Sequence, residues 1–150
     1  MTYKERNTFA GKIVYFSHPV FTHRTKTERT CLKILKGLNP QELINPANFG
    51  LKHNIQEYVE RADTIVAMAV SGKFTYLVWK ELEFGKKNGA SIYTFMVESK
   101  NDIGPLVQGV PDEIVRLSKE ESQEFVDKMI NDDLRESIIS LFIGNIGRRF

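Results

Sequence analysis

The sequence predicts a doubly wound α/β fold: a three-layer sandwich with a mainly parallel five-stranded sheet in flavodoxin-like order. Two observations point there. Thr64 to Val70 is a continuous, β-branched apolar run of the kind that is buried on both faces of a sheet, and Thr75 to Asn88 then carries apolar residues at helical spacing. Strand and helix alternate in this way along most of the chain, which favours parallel strands joined by crossover helices.

Taken in order, residues 1–11 are polar and are expected to be frayed. Lys12 to Phe16 forms a first strand that ends at Ser17-His18-Pro19, because proline cannot donate to a ladder. The loop SHPVFTHRTK gathers hydroxyls, two histidines and Arg24 at the carboxyl end of that strand. A helix from about Thr27 to Leu38 follows, with an apolar stripe of Cys31, Leu35 and Leu38, and Gly37, Asn39 and Pro40 stop it. Glu42 to Asn45 reads as a short second strand, and a helix then carries Leu51, Ile55, Tyr58 and Val59. After the third strand, third helix and the strand from Ser91, the glycines and prolines of Glu98 to Pro111 predict a long loop. Glu113 to Leu117 is expected as the fifth strand, and Ser118 with Glu121 makes a capping box for a helix running to about Asn131. Leu134 to Ile143 is apolar enough for a helix in a C-terminal extension, residues 132–150, that packs on the body or on a twin subunit.

A chain of 150 residues is read as one domain, able to bury about two thirds of its unfolded surface without staples. A net charge of +2 gives no argument for nucleic acid or an anionic membrane as partner. The single Cys31 excludes an internal disulfide and suits a reduced interior. The opening residues hold no apolar signal core and no later run reaches the roughly 18 apolar residues of a membrane span, so a cytoplasmic location is expected. There is no glycine-rich dinucleotide fingerprint, no phosphate loop, no GxSxG elbow, and no Cys or His pair at metal-ligand spacing. Dehydrogenase, P-loop and zinc-enzyme chemistry fall away, and neither a metal nor a cofactor is expected.

In open α/β sheets ligands sit beyond the carboxyl ends of the strands, so a carboxylate early in the helix after the third strand is a candidate chemical centre. Glu81 holds that position, with Glu83 as its competitor.

Three segments, in order and at compatible spacing, resemble the nucleoside 2-deoxyribosyltransferase family: Ile13 to Arg24 (IVYFSHPVFTHR), Ala62 to Ile92, and Leu106 to Phe125 (LVQGVPDEIVRLSKEESQEF). The resemblance implies an enzyme that breaks the N-glycosidic bond of a nucleoside or nucleotide through a sugar ester on a glutamate, then passes the sugar to another base or to water. That is the logic of a retaining glycosidase. Carried over by position, Glu81 matches the nucleophile, since Gly89 and the strand from Ser91 follow in register, and Tyr15 matches the tyrosine that bonds it. Ser17, His18, Phe21, His23 and Arg24 would form the base pocket, with Phe21 as a stacking face. Asp63 stands before the third strand, Glu57 at the place of an acid near the base, and Glu113 at the place of an asparagine supplied across a subunit contact, so a homo-oligomer is implied. The chain departs from the family at Thr75 and His23, each standing for an aspartate, and at Leu77 and Trp79, which replace small residues and would narrow the sugar site if turned inward. Those departures keep a second class open, a nucleotide-binding module on the same scaffold without turnover.

Overall fold

The computed structural model describes residues 2–49, 55–99 and 102–132. Four strands form a parallel array in the order β2-β1-β3-β5: β1 (Ile13–Ser17), β2 (Glu42–Ile44), β3 (Thr64–Val70) and β5 (Ser91–Ser99). Strand β3 lies at the centre and all seven of its residues are buried, as its unbroken apolar run requires.

The sheet is mixed rather than simply parallel, and among the described residues it has seven strands. The segment expected as a long loop instead extends β5 and returns as β6 (Asp102–Gln108), antiparallel to β5. Its glycine and proline are both compatible with a strand in this setting. A Cβ on Gly104 would lie 2.7 Å from the Met96 carbonyl oxygen, so the glycine permits close strand approach. Pro105 is tolerated because, among the described residues, β6 pairs on one side only. The expected fifth strand shrinks to β7 (Val115–Arg116), which pairs with β4 (Lys73–Phe74), a short return after the turn at Ser71 and Gly72.

Alternation along the central strands sends side chains to two cores. Val14, Phe16, Val66, Met68 and Val70 pack on one face with Cys31 and Leu35 of α2 (Lys26–Lys36) and with Phe125 and Met129 of the helical residues 119–132, here α5. Phe9 joins this core at 1% exposure, close behind the short α1 (Tyr3–Arg6). Tyr15, Ile65, Ala67 and Ala69 face the other way, towards Val59 of α3 (Ile55–Arg61) and Val78 and Leu82 of α4 (Tyr76–Lys87). Helices therefore cover both faces of the sheet. The capping box of α5 forms as expected, with Glu121 N–H donating to Ser118 Oγ at 3.1 Å and Ser118 N–H to Glu121 Oε1 at 3.0 Å. Leu51 and the anticipated helix from Leu134 lie outside the described residues. No helix among the described residues is long and apolar enough to cross a membrane.

Candidate active site

The centre of the site is built by one strand and one helix. Tyr15 and Ser17 are two apart on β1, so both side chains leave the same face of the sheet, the one covered by α4. On α4, Glu81 lies on the side of the helix that carries Val78, Leu82 and Gly85 into the core. Gly85 sets how close this helix comes: an added Cβ would stand 2.4 Å from Ile65 Cγ1. The helix thus rests almost on the sheet, and Glu81 reaches the strand. Its Oε2 accepts a short hydrogen bond from the Tyr15 hydroxyl, and its Oε1 accepts one from Ser17 Oγ at 3.3 Å.

Burial pushes the Glu81 carboxyl up to about 7, against the opposing pull of the Tyr15 and Ser17 hydrogen bonds, which favour the carboxylate. Burial together with the adjacent carboxylate raises the Tyr15 hydroxyl well above its ordinary value, so it stays a donor. A carboxylate with two fixed donors on its oxygens, partly desolvated and poised near neutrality, is suited to nucleophilic or acid–base work.

Glu81 opens onto a cavity of about 640 Å³ whose wall includes His18, His23, Thr75, Leu77, Lys119 and Ser122. A second groove, about 740 Å³, passes the other side of Glu81 between α3 and α4. His18 is a fixed part of the wall. Its ring is held between Thr22 Oγ1 and Asn45 Oδ1, each at 2.9 Å, with Glu28 Oε2 3.5 Å from Nε2. Burial lowers its pKa to about 4, so the ring is neutral at pH 7, and an Nε2–H tautomer satisfies the Asn45 acceptor. His23 stacks edge-on against it at 4.6 Å between centroids, and its pKa too is lowered by burial.

The other sequence candidates fall elsewhere. Phe21 is turned to the opposite core, edge to face with Phe125 at 6.0 Å, and is not a wall of the cavity. Arg24 is exposed with φ 62, its carbonyl accepting from Arg29. Asp63 sits at the amino ends of the strands, away from the site, where its Oδ2 accepts from Ile13 N–H at 2.9 Å and ties β1 to β3. Glu57 and Glu113 are exposed and line neither space. Glu83 points away from Tyr15 and pairs with Arg116. Trp79 does not turn into the cavity: its Nε1–H donates to Leu117 O at 2.7 Å and its ring packs with the second core. Leu77 stands at the cavity mouth, 62% exposed.

Lys119, Ser122, Asn45 and Glu28 belong to the site or its support and were not singled out by sequence. Only folding brings Lys119 and Ser122 to the cavity that Glu81 lines, and Asn45 and Glu28 to His18. Among the described residues no group of three or more His, Cys, Asp or Glu is placed to hold a metal ion. No family model matches the chain, and neither a curated protein nor a solved structure shows significant similarity to it.

Proposed function

We infer that the protein breaks or transfers the N-glycosidic bond of nucleosides or nucleotides, with Glu81 as the nucleophile. The single observation that carries this reading is Glu81 held on both oxygens by Tyr15 and Ser17 at the wall of a nucleoside-sized cavity. In the first step a Glu81 oxygen bonds to the anomeric carbon as the carbon–nitrogen bond to the base breaks, and the leaving base takes a proton from solvent. In the second step an acceptor base or water attacks the same carbon, gives up a proton to solvent, and the bond from that carbon to Glu81 breaks to release the carboxylate. The Tyr15 and Ser17 donors keep the attacking oxygens oriented, and Tyr15 steadies the carboxylate returned at the end. No step calls for a metal or a redox group. The strand order β2-β1-β3-β5 is in keeping with a flavodoxin-like arrangement, in which ligands bind beyond the carboxyl ends of the strands.

The non-catalytic alternative draws on Thr75, where the resembling family has a carboxylate. Incubating the protein with deoxynucleosides and their 5'-monophosphates, with and without an acceptor base, separates the two. Base release by the wild type and its loss in Glu81→Ala supports the enzyme; tight binding without release supports the module.

A further inference from the structure

We propose that His23 relays the proton taken up by the leaving base, with the buried carboxylate of Glu28 as the positioning residue that balances its charge. The inference rests on the reading of Glu81 as sugar nucleophile and supplies the partner that chemistry needs. Displacement of a leaving group by a carboxylate goes with a second group that protonates the departing atom. Among the described residues bordering the cavity of about 640 Å³, Glu81 is the sole carboxyl, so the acid must be of another kind. Imidazole is the side chain that exchanges protons most readily near neutral pH, and two stand in this wall, His18 and His23.

His18 is locked. Its Nδ1 meets Thr22 Oγ1 and its Nε2 meets Asn45 Oδ1, each at 2.9 Å, so neither nitrogen is free to turn to a ligand. His23 stacks edge-on against that fixed ring, with centroids 4.6 Å apart, and is half-buried. The His18 carbonyl faces its ring, and no side chain among the described residues hydrogen-bonds to it. An imidazole packed in place with a nitrogen to spare can take a proton from solvent and hand it inward.

The carboxylate behind the two rings marks His23 as the one that carries charge. Glu28 is 5% exposed, and its Oε2 accepts no hydrogen bond among the described residues. A buried carboxylate oxygen in that state is costly unless a positive charge forms nearby. Besides the neutral His18 ring, whose Nε2 is 3.5 Å from that oxygen, the field of Glu28 reaches the Cys31 thiol and His23. Burial, and then this carboxylate, push the thiol up to about 12, so it stays uncharged. Burial lowers the pKa of His23, Glu28 and the His18 carbonyl oppose that, and Arg24 adds to it. A proton on His23 is therefore favoured by Glu28 yet readily given up.

His23 loads its proton from solvent. In the first step the electron pair of the breaking carbon–nitrogen bond passes to the base, whose nitrogen takes the ring proton of His23 as Glu81 bonds to the anomeric carbon. In the second step the acceptor base or water bonds to that carbon and gives its proton to the now neutral ring, while the bond to Glu81 breaks. The ring then exchanges with solvent again.

The test uses leaving groups that differ in their need for a proton. Base release by the full chain is measured on 2'-deoxyguanosine and on 7-methyl-2'-deoxyguanosine, whose cationic base departs neutral with no proton added, each also as its 5'-monophosphate. His23→Gln should lower kcat on the unmethylated substrate by about 100-fold or more, and on the methylated one, above its spontaneous rate, by less than about threefold. Glu28→Gln should show the same pattern with a smaller loss of about tenfold, and Glu81→Gln should lose both reactions. Equal losses in His23→Gln on the two substrates, or no loss on either, would overturn the relay and leave Glu81 as nucleophile. A loss in Glu28→Gln shared equally by both substrates would make Glu28 a packing residue and overturn its positioning role. Release that survives Glu81→Gln, or that is absent from the wild type on every substrate, would overturn the nucleophile reading and the relay with it.

Discussion

The Tyr15 hydroxyl donates to Glu81 Oε2 across 66 residues of sequence, joining the first strand to the helix that follows the central strand. The pair ties the fold to the proposed chemistry, because neither partner meets the other unless β1 and β3 lie side by side and α4 rests on both.

Removing that donor should shift the acid limb of activity. In Tyr15→Phe the ring still fills its buried place, but one of the two hydrogen bonds that favour the carboxylate is lost while burial stays. The Glu81 pKa should rise above about 7 and turnover at pH 7 should fall by roughly 10- to 100-fold. Rates of base release measured from pH 5 to 9 in both proteins check this. An unmoved acid limb would mean that Tyr15 does not hold the reacting carboxylate.

Glu81 should also make the protein less stable as pH rises. Its folded-state value is raised from 4.5 to about 7, so between those values the folded protein keeps a proton that the unfolded chain releases. Stability tied to this proton is fully present below 4.5 and is lost as pH rises towards 7. Glu81→Gln removes the titration. Relative to wild type it should gain stability between pH 5 and pH 8, by an amount on the order of 2 kcal/mol, in urea melts at the two pH values. A difference that stays constant with pH would show that the carboxyl is not raised.

Glu83 gives a contrasting prediction two residues away. Its side chain is 40% exposed and pairs with Arg116, which is itself 41% exposed. Pairs of this kind contribute about 0–1 kcal/mol. Glu83→Gln should leave base release within about twofold of wild type and change stability by less than about 1 kcal/mol. Loss of activity comparable with Glu81→Ala would transfer the nucleophile's role to Glu83.

Much of this was legible in the sequence because it depended on local periodicity. The run Thr64 to Val70 is the observed β3, and the helical spacing after Thr75 gave α4 to within one residue at each end. The contact between Tyr15 and Glu81 was legible in part: Glu81 through its position on α4, Tyr15 only through the family resemblance. What was missed depended on tertiary contact. The antiparallel β5–β6 pair looked like a loop because Gly104 and Pro105 are loop formers locally, and the nearness of Met96 and the lack of a second partner for β6 among the described residues make them acceptable in a strand. Phe21 looked like a base-stacking face because the resemblance makes the loop from Ser17 to Arg24 a base pocket, but the packing of α5 draws it towards Phe125. Asp63 looked like a ligand contact, and its carboxylate is occupied with the Ile13 amide.

Gly85 should prove as important to activity as a residue that touches substrate, through its lack of a side chain. An alanine methyl would have to displace Ile65 Cγ1, which stands 2.4 Å from the ideal Cβ position, and Cδ1 of the same side chain at 2.9 Å. Ile65 is fully buried on the central strand and has little room to yield, so α4 must lift from the sheet instead. Helix propensity alone would favour the alanine by roughly 1 kcal/mol, and overpacking of this kind costs about 1–3 kcal/mol. A net loss of up to about 2 kcal/mol in chemical denaturation is therefore expected, the steric term offsetting or outweighing the propensity. Lifting α4 would also lengthen the contacts from Glu81 to Tyr15 and Ser17, and a misplacement near 1 Å at a reacting group is enough for a loss of about 100-fold. Gly85→Ala should accordingly lower base release far more than its loss of stability explains, as measured at a temperature where the variant is fully folded. An alanine variant that is more stable and fully active would mean that α4 does not need its close approach to hold the site.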